Sequence, residues 1–159
     1  MNPVLETCVK IELRIADIYK GLVDHTEADR ELKDIWTEMA EDELRHAKHI
    51  GLVADRLEIA GIGAVGMSAA DVQRLSDRAA EIYEQLRKNR LSLTDAVYAS
   101  VELEDEFLKA HLNYADVAGQ PDLQTLFKFL AEEDRQHTVR LRKYLDRMTD
   151  GSGLVFEEP

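Results

Sequence analysis

The sequence predicts an all-α fold: a four-helix bundle built from two helical hairpins, with a long crossover that contains a short extra helix. Three observations predict it. Helix breakers are scarce, with 8 glycines and 3 prolines in 159 residues, and Pro3 and Pro121 fall where helices would begin. Apolar residues recur at three- and four-residue spacing through most of the chain. The chain also repeats itself, since Ala40-Glu-Asp-Glu-Leu-Arg-His46 returns as Ala131-Glu-Glu-Asp-Arg-Gln-His137. A long repeat that occurs once points to two copies of a two-helix unit rather than to a solenoid.

Taken in order, Asn2 and Pro3 read as an N-cap and a first helical residue. From there Val4, Leu5, Cys8, Ile11, Ile15, Ile18, Tyr19 and Leu22 form one apolar stripe, with Glu12 on or beside it. A carboxylate turned toward a core needs a partner or a metal. Thr26 and Asp29 resemble a capping box that starts the second helix. Its inner row holds Leu32, Ile35, Trp36, Met39, Glu43, His46, Ile50 and Val53, and it ends near Gly61-Ile-Gly63. Residues 62–68 form a connection, and Ser68 with Asp71 caps a shorter helix ending near Asn89. That helix carries no ligand-like pair and is assigned to the crossover. Ser92 with Asp95 caps the next helix, which holds Ala96, Val97, Ser100, Val101, Glu104, Phe107, Leu108 and His111. Gly119-Gln-Pro121 breaks it, and the last helix runs to about Met148. Residues 1–148 are thus expected to form one domain, and 149–159 a flexible tail.

Composition excludes several classes of function. A net charge of −12 argues against a nucleic-acid surface and against attraction to anionic membranes. One cysteine, Cys8, excludes an internal disulfide and a four-cysteine iron site, and is most simply a small core residue. No signal peptide opens the chain and no apolar run approaches ~18 residues. The expectation is a soluble, cytoplasmic protein.

The repeat carries the chemistry. Glu43 and His46, like Asp134 and His137, are three residues apart, which puts carboxylate and imidazole on one helix face. Two such pairs, joined by a glutamate from each of two further helices, make a di-iron or di-manganese carboxylate site. Glu12 and Glu104 are placed to be those glutamates. Glu43 and Asp134 are 91 residues apart, as are His46 and His137, while Glu12 and Glu104 are 92 apart. A histidine on an apolar face is by itself more often structural than a ligand; register across four helices reverses that. His25 and His49 lack such support. Tyr19 and His111 each lie seven residues beyond Glu12 and Glu104, so they could hydrogen-bond ligand carboxylates or serve as core-edge aromatics. Trp36 and Phe127 also correspond and read as packing. Four carboxylates and two imidazoles suit iron, with manganese as the alternative, and suit copper(I) poorly.

On these motifs the chain resembles the rubrerythrin-like branch of the ferritin-like superfamily over nearly all of residues 3–148. The most specific matches are Ile11-Glu12 with Tyr19, and the two segments around Glu43-Leu-Arg-His46 and Asp134-Arg-Gln-His137. The resemblance implies that Glu43 and Asp134 bridge two iron ions, that Glu12 and Glu104 are terminal ligands, and that His46 and His137 each hold one metal. It also implies reduction of hydrogen peroxide to water, electrons from a rubredoxin-type donor that here would be a separate protein, and a homodimer. Asp134 stands where the family usually has glutamate. Either the backbone moves closer, the bridge becomes monodentate, or Glu133 substitutes. Phe107 occupies the position where rubrerythrins carry an extra glutamate used in ligand exchange, which brings the chain nearer to six-ligand members. The same ligand set leaves a ferroxidase or iron-storage protein, an organic hydroxylase and a metal-free helical association module as alternatives.

Overall fold

The computed structural model describes residues 2–25, 28–61, 68–88 and 91–152. Five helices follow one another: α1 (Pro3–His25), α2 (Arg30–Ile59), α3 (Ala69–Arg87), α4 (Leu93–Val117) and α5 (Pro121–Ser152). No strand occurs among the described residues. The all-α expectation holds.

Local chemistry sets most of the boundaries. The Asn2 side chain accepts from the Val4 backbone N–H at 2.9 Å, so Pro3 enters α1 where its missing N–H costs nothing. Ser68 caps α3, and Ser92 with Asp95 forms a complete capping box on α4, both arms present. The start of α2 differs from expectation. Its N-cap is Asp29, whose side chain accepts from Leu32 N–H, whereas Thr26 lies outside the described residues. Asp29 also accepts from the Tyr144 hydroxyl at 3.1 Å, tying the start of α2 to the far end of α5. Gly61, at φ +71°, follows the end of α2 in the left-handed conformation that closes many helices. The last helix continues past Met148 to Ser152. The rest of the expected connection at 62–67, the expected end near Asn89 and the tail from 153 lie outside the described residues.

Only four residues separate α1 from α2 and three separate α4 from α5, so each pair packs side by side and antiparallel. α2 also meets α5, and α3 lies mainly along α1 with a smaller contact to α4. Gly21 makes the α1–α3 approach close. A Cβ there would fall 2.5 Å from Leu86 Cδ2.

The apolar stripes close over a core that includes Leu5, Ile15, Ile18, Tyr19, Leu22, Trp36, Met39, Ile50, Leu123 and Phe127. Each large side chain removed from water stabilises the fold by about 1.5–3 kcal/mol. Trp36 and Phe127 are both fully buried, as packing residues should be, and Trp36 Nε1 donates to Ser100 Oγ at 3.1 Å. Cys8 is buried in the same core. Val53 packs at its edge, and Leu108 is half-buried. No helix is long and apolar enough to cross a membrane among the described residues.

Candidate metal centre

Seven ionisable side chains interrupt this core at one level. Glu12 comes from α1, Glu43 and His46 from α2, Glu104 and His111 from α4, and Asp134 and His137 from α5. None is more than 2 % exposed. Burying four carboxylates is costly unless each finds a cation or a donor, so their partners define the site.

Five of the seven form two groups that share one residue. Ligand atoms of Glu12, Glu43 and His46 lie within 4.8 Å of one another, and so do those of Glu43, Glu104 and His137. Glu43 divides its two oxygens between them. Oε2 is 3.1 Å from His46 Nδ1, and Oε1 is 3.7 Å from His137 Nδ1. His137 Nδ1 is also 3.1 Å from Glu104 Oε2, and His46 Nδ1 is 3.7 Å from Glu12 Oε2. The two imidazoles stack with ring centres 6.4 Å apart.

Tyr19 and His111 reach across the repeat. The Tyr19 hydroxyl, on the first half, donates to Glu104 Oε1 on the second. His111, on the second half, places Nε2 3.3 Å from Glu12 Oε1 on the first. Of the two readings open for them, carboxylate partner or core-edge aromatic, each takes the first, toward the glutamate of the other half. Phe107 and Phe127 pack against the His111 ring, at 5.8 and 5.6 Å between ring centres.

Asp134 is placed differently from the other five expected ligands. It is buried at the same level but belongs to neither group, and its Oδ2 lies 2.7 Å from His111 Nδ1. Glu133 does not take its place. Its carboxylate goes to the outer nitrogen of His46, with Oε2 2.9 Å from Nε2. Asp42 does the same for His137, with Oδ2 2.9 Å from Nε2. Asp42 is not among the residues the repeat singles out above, yet the outer pair carries the same signal: Asp42 and Glu133 are also 91 residues apart. Carboxylates of this kind fix which ring nitrogen faces a metal and raise its basicity. His49 lies away from the site, edge-on to Phe129, and the side chain of His25 lies outside the described residues.

Charge compensation follows from these contacts. Burial pulls the His137 imidazole down, but the Glu104 charge and the Asp42 hydrogen bond outweigh it and push it up to about 10. Burial likewise opposes protonation of His111, which Asp134 and Glu12 nevertheless push up to about 10. His46 is held well above the ordinary histidine range, as Glu43, Glu12 and Glu133 outweigh its burial. Burial drives the Glu43 and Asp134 carboxyls up. Glu12 ends well below the usual carboxylate range, because His111 and His46 overcome its burial. Burial and the Glu104 charge keep the Tyr19 phenol protonated.

One carboxylate oxygen of these groups is left over. Glu12 Oε2 is buried with no hydrogen-bond partner and faces the His46 ring nitrogen. An orphaned carboxylate oxygen inside a cluster of oxygen and nitrogen donors fits a cation. These groups could hold metal.

No protein-family model, curated protein or solved structure matches this chain.

Proposed function

We propose that the chain is a rubrerythrin-like di-iron oxidoreductase in a ferritin-like four-helix bundle, reducing hydrogen peroxide, or oxygen, with electrons from a separate donor of the rubredoxin type. The observation that carries this reading is Glu43, a buried carboxylate that offers one oxygen to each of two carboxylate–histidine groups. Glu12 and His46 would hold one iron with it, and Glu104 and His137 the other. Asp134 is the remaining carboxylate at this level. A bound iron pair would supply two electrons together, the number that peroxide reduction to water consumes.

The protein's own share of the work is orientation and exclusion of water. The Tyr19 hydroxyl and the His111 ring hold the two terminal glutamates from opposite halves. Asp42 and Glu133 hold the outer nitrogens of His137 and His46, which leaves both Nδ1 atoms facing inward. Phe107 and Phe127 pack around His111 and leave bulk water little room on that side. By the same resemblance the working unit would be a homodimer.

A second reading, a ferroxidase of the same superfamily, draws support from Phe107. It is an apolar, buried side chain where rubrerythrins place an extra carboxylate. Anaerobic loading with ferrous iron, metal counting and stopped-flow mixing with peroxide and with oxygen test both. About two irons per chain oxidised faster by peroxide than by oxygen support the first reading. Faster oxidation by oxygen supports the second. Slow oxidation by both removes the enzyme reading, and a chain that takes up no iron is left as a helical association module.

A further inference from the structure

Outside the buried groups, the carboxylates that hold the two histidines converge on one guanidinium. Arg45 pairs through Nη2 with Asp42 Oδ1, and the same nitrogen lies 3.5 Å from Glu133 Oε1. A continuous arc of polar contacts therefore runs His137–Asp42–Arg45–Glu133–His46. It joins the outer nitrogens of the two imidazoles around the rim of the site. We propose that Arg45 is a positioning residue that couples the two histidines, so that a metal ion ordering one of them orders the other. This rests on the metal-binding reading of the buried groups.

Three features separate Arg45 from an ordinary surface arginine. Asp42 and Glu133 are like charges that would repel one another, and a planar, five-donor guanidinium is the side chain suited to satisfy both. Its acceptors do not end at the surface but pass inward to a histidine each. Arg78 pairs with Glu81 and Glu102, and Arg140 with Glu38, and among the described residues no buried imidazole continues either chain of contacts. Finally, the arrangement breaks the repeat. The position equivalent to Arg45 in the second half is Gln136, so one arginine serves both carboxylates. An exposed ion pair contributes little to stability, and Arg45 is half exposed. Its effect is therefore expected on ligand geometry rather than on the fold.

Titration of the metal-free protein with cobalt(II), read by its d–d absorption, tests the coupling. Wild type, Arg45→Gln, Arg45→Lys and the control Arg78→Gln are compared, with circular dichroism melts to establish that each variant folds. Wild type should take two equivalents cooperatively. In Arg45→Gln the second equivalent should weaken by about 10–100-fold, cooperativity should vanish and the d–d bands should shift. Arg45→Lys should recover part of the affinity, and Arg78→Gln should match wild type. An Arg45→Gln isotherm and spectrum identical to wild type would overturn the proposal, as would equal weakening of both equivalents with cooperativity intact. A wild type that binds no cobalt would instead remove the metal-binding reading itself.

Discussion

Glu43 gives one oxygen to each side of the site, so it is the residue whose loss cannot be confined to one metal position. Glu43→Gln keeps its shape and removes its charge. Metal uptake after anaerobic loading should fall from about two equivalents per chain to fewer than one, counted by elemental analysis. His111 and His137 set a pH dependence. Both are held up to about 10 in the metal-free protein, above their unfolded value of about 6.5. A raised value means the folded state binds the extra protons, so their contribution is complete below about pH 6.5 and is lost as pH rises toward 10. The urea midpoint of the metal-free protein should fall over that window. Metal bound at His137 must displace the proton there, so cobalt(II) affinity should move the opposite way and rise with pH. The site residues were legible because the repeat put Glu12, Glu43, His46, Glu104 and His137 in register. The pairing of Asp134 with His111 was not, since a side chain one methylene shorter leaves no trace in spacing that says which partner it reaches.

Among the elements, the caps and the two hairpins were readable and the docking of α3 was not. Ser68 and Ser92 announced their helices because a hydroxyl three residues before an acid satisfies free backbone donors locally. Asp29 caps α2 through Leu32 N–H, and the Tyr144 hydroxyl engages the same carboxylate. That second partner is 115 residues away and no local pattern encodes it. Asp29→Ala should therefore cost more than an isolated cap, about 1–3 kcal/mol in urea unfolding. The docking of α3 along α1 was likewise hidden, because it sets Leu86 against Gly21, two residues far apart in the chain. Gly21→Leu should force α3 away, at about 1–3 kcal/mol of overpacking. Amide hydrogen exchange should quicken across 69–87 and stay slow in α2 and α5. Uniform quickening across all five helices would count against a local docking role for Gly21.

At the scale of the whole molecule, the proposed metal site would trade stability for binding. A core with four carboxylates is held in the metal-free state by protonated histidines and borrowed hydrogen bonds, and a cation would replace that arrangement with direct ligation. Saturating metal should raise the unfolding midpoint, by the equivalent of about 2.7 kcal/mol at a hundredfold excess over Kd, and a chelator should reverse it. A midpoint indifferent to iron, cobalt and manganese would contradict a metal centre. The bond between Trp36 and Ser100 joins α2 of the first half to α4 of the second, and Trp36 is the chain's single tryptophan. Its indole is thus a native optical gauge of whether the two halves remain docked. Blue, protected emission would accompany an intact junction, and a red shift would mark water entering between them. Emission could then distinguish a variant that has lost only its ligands from one whose halves have come apart.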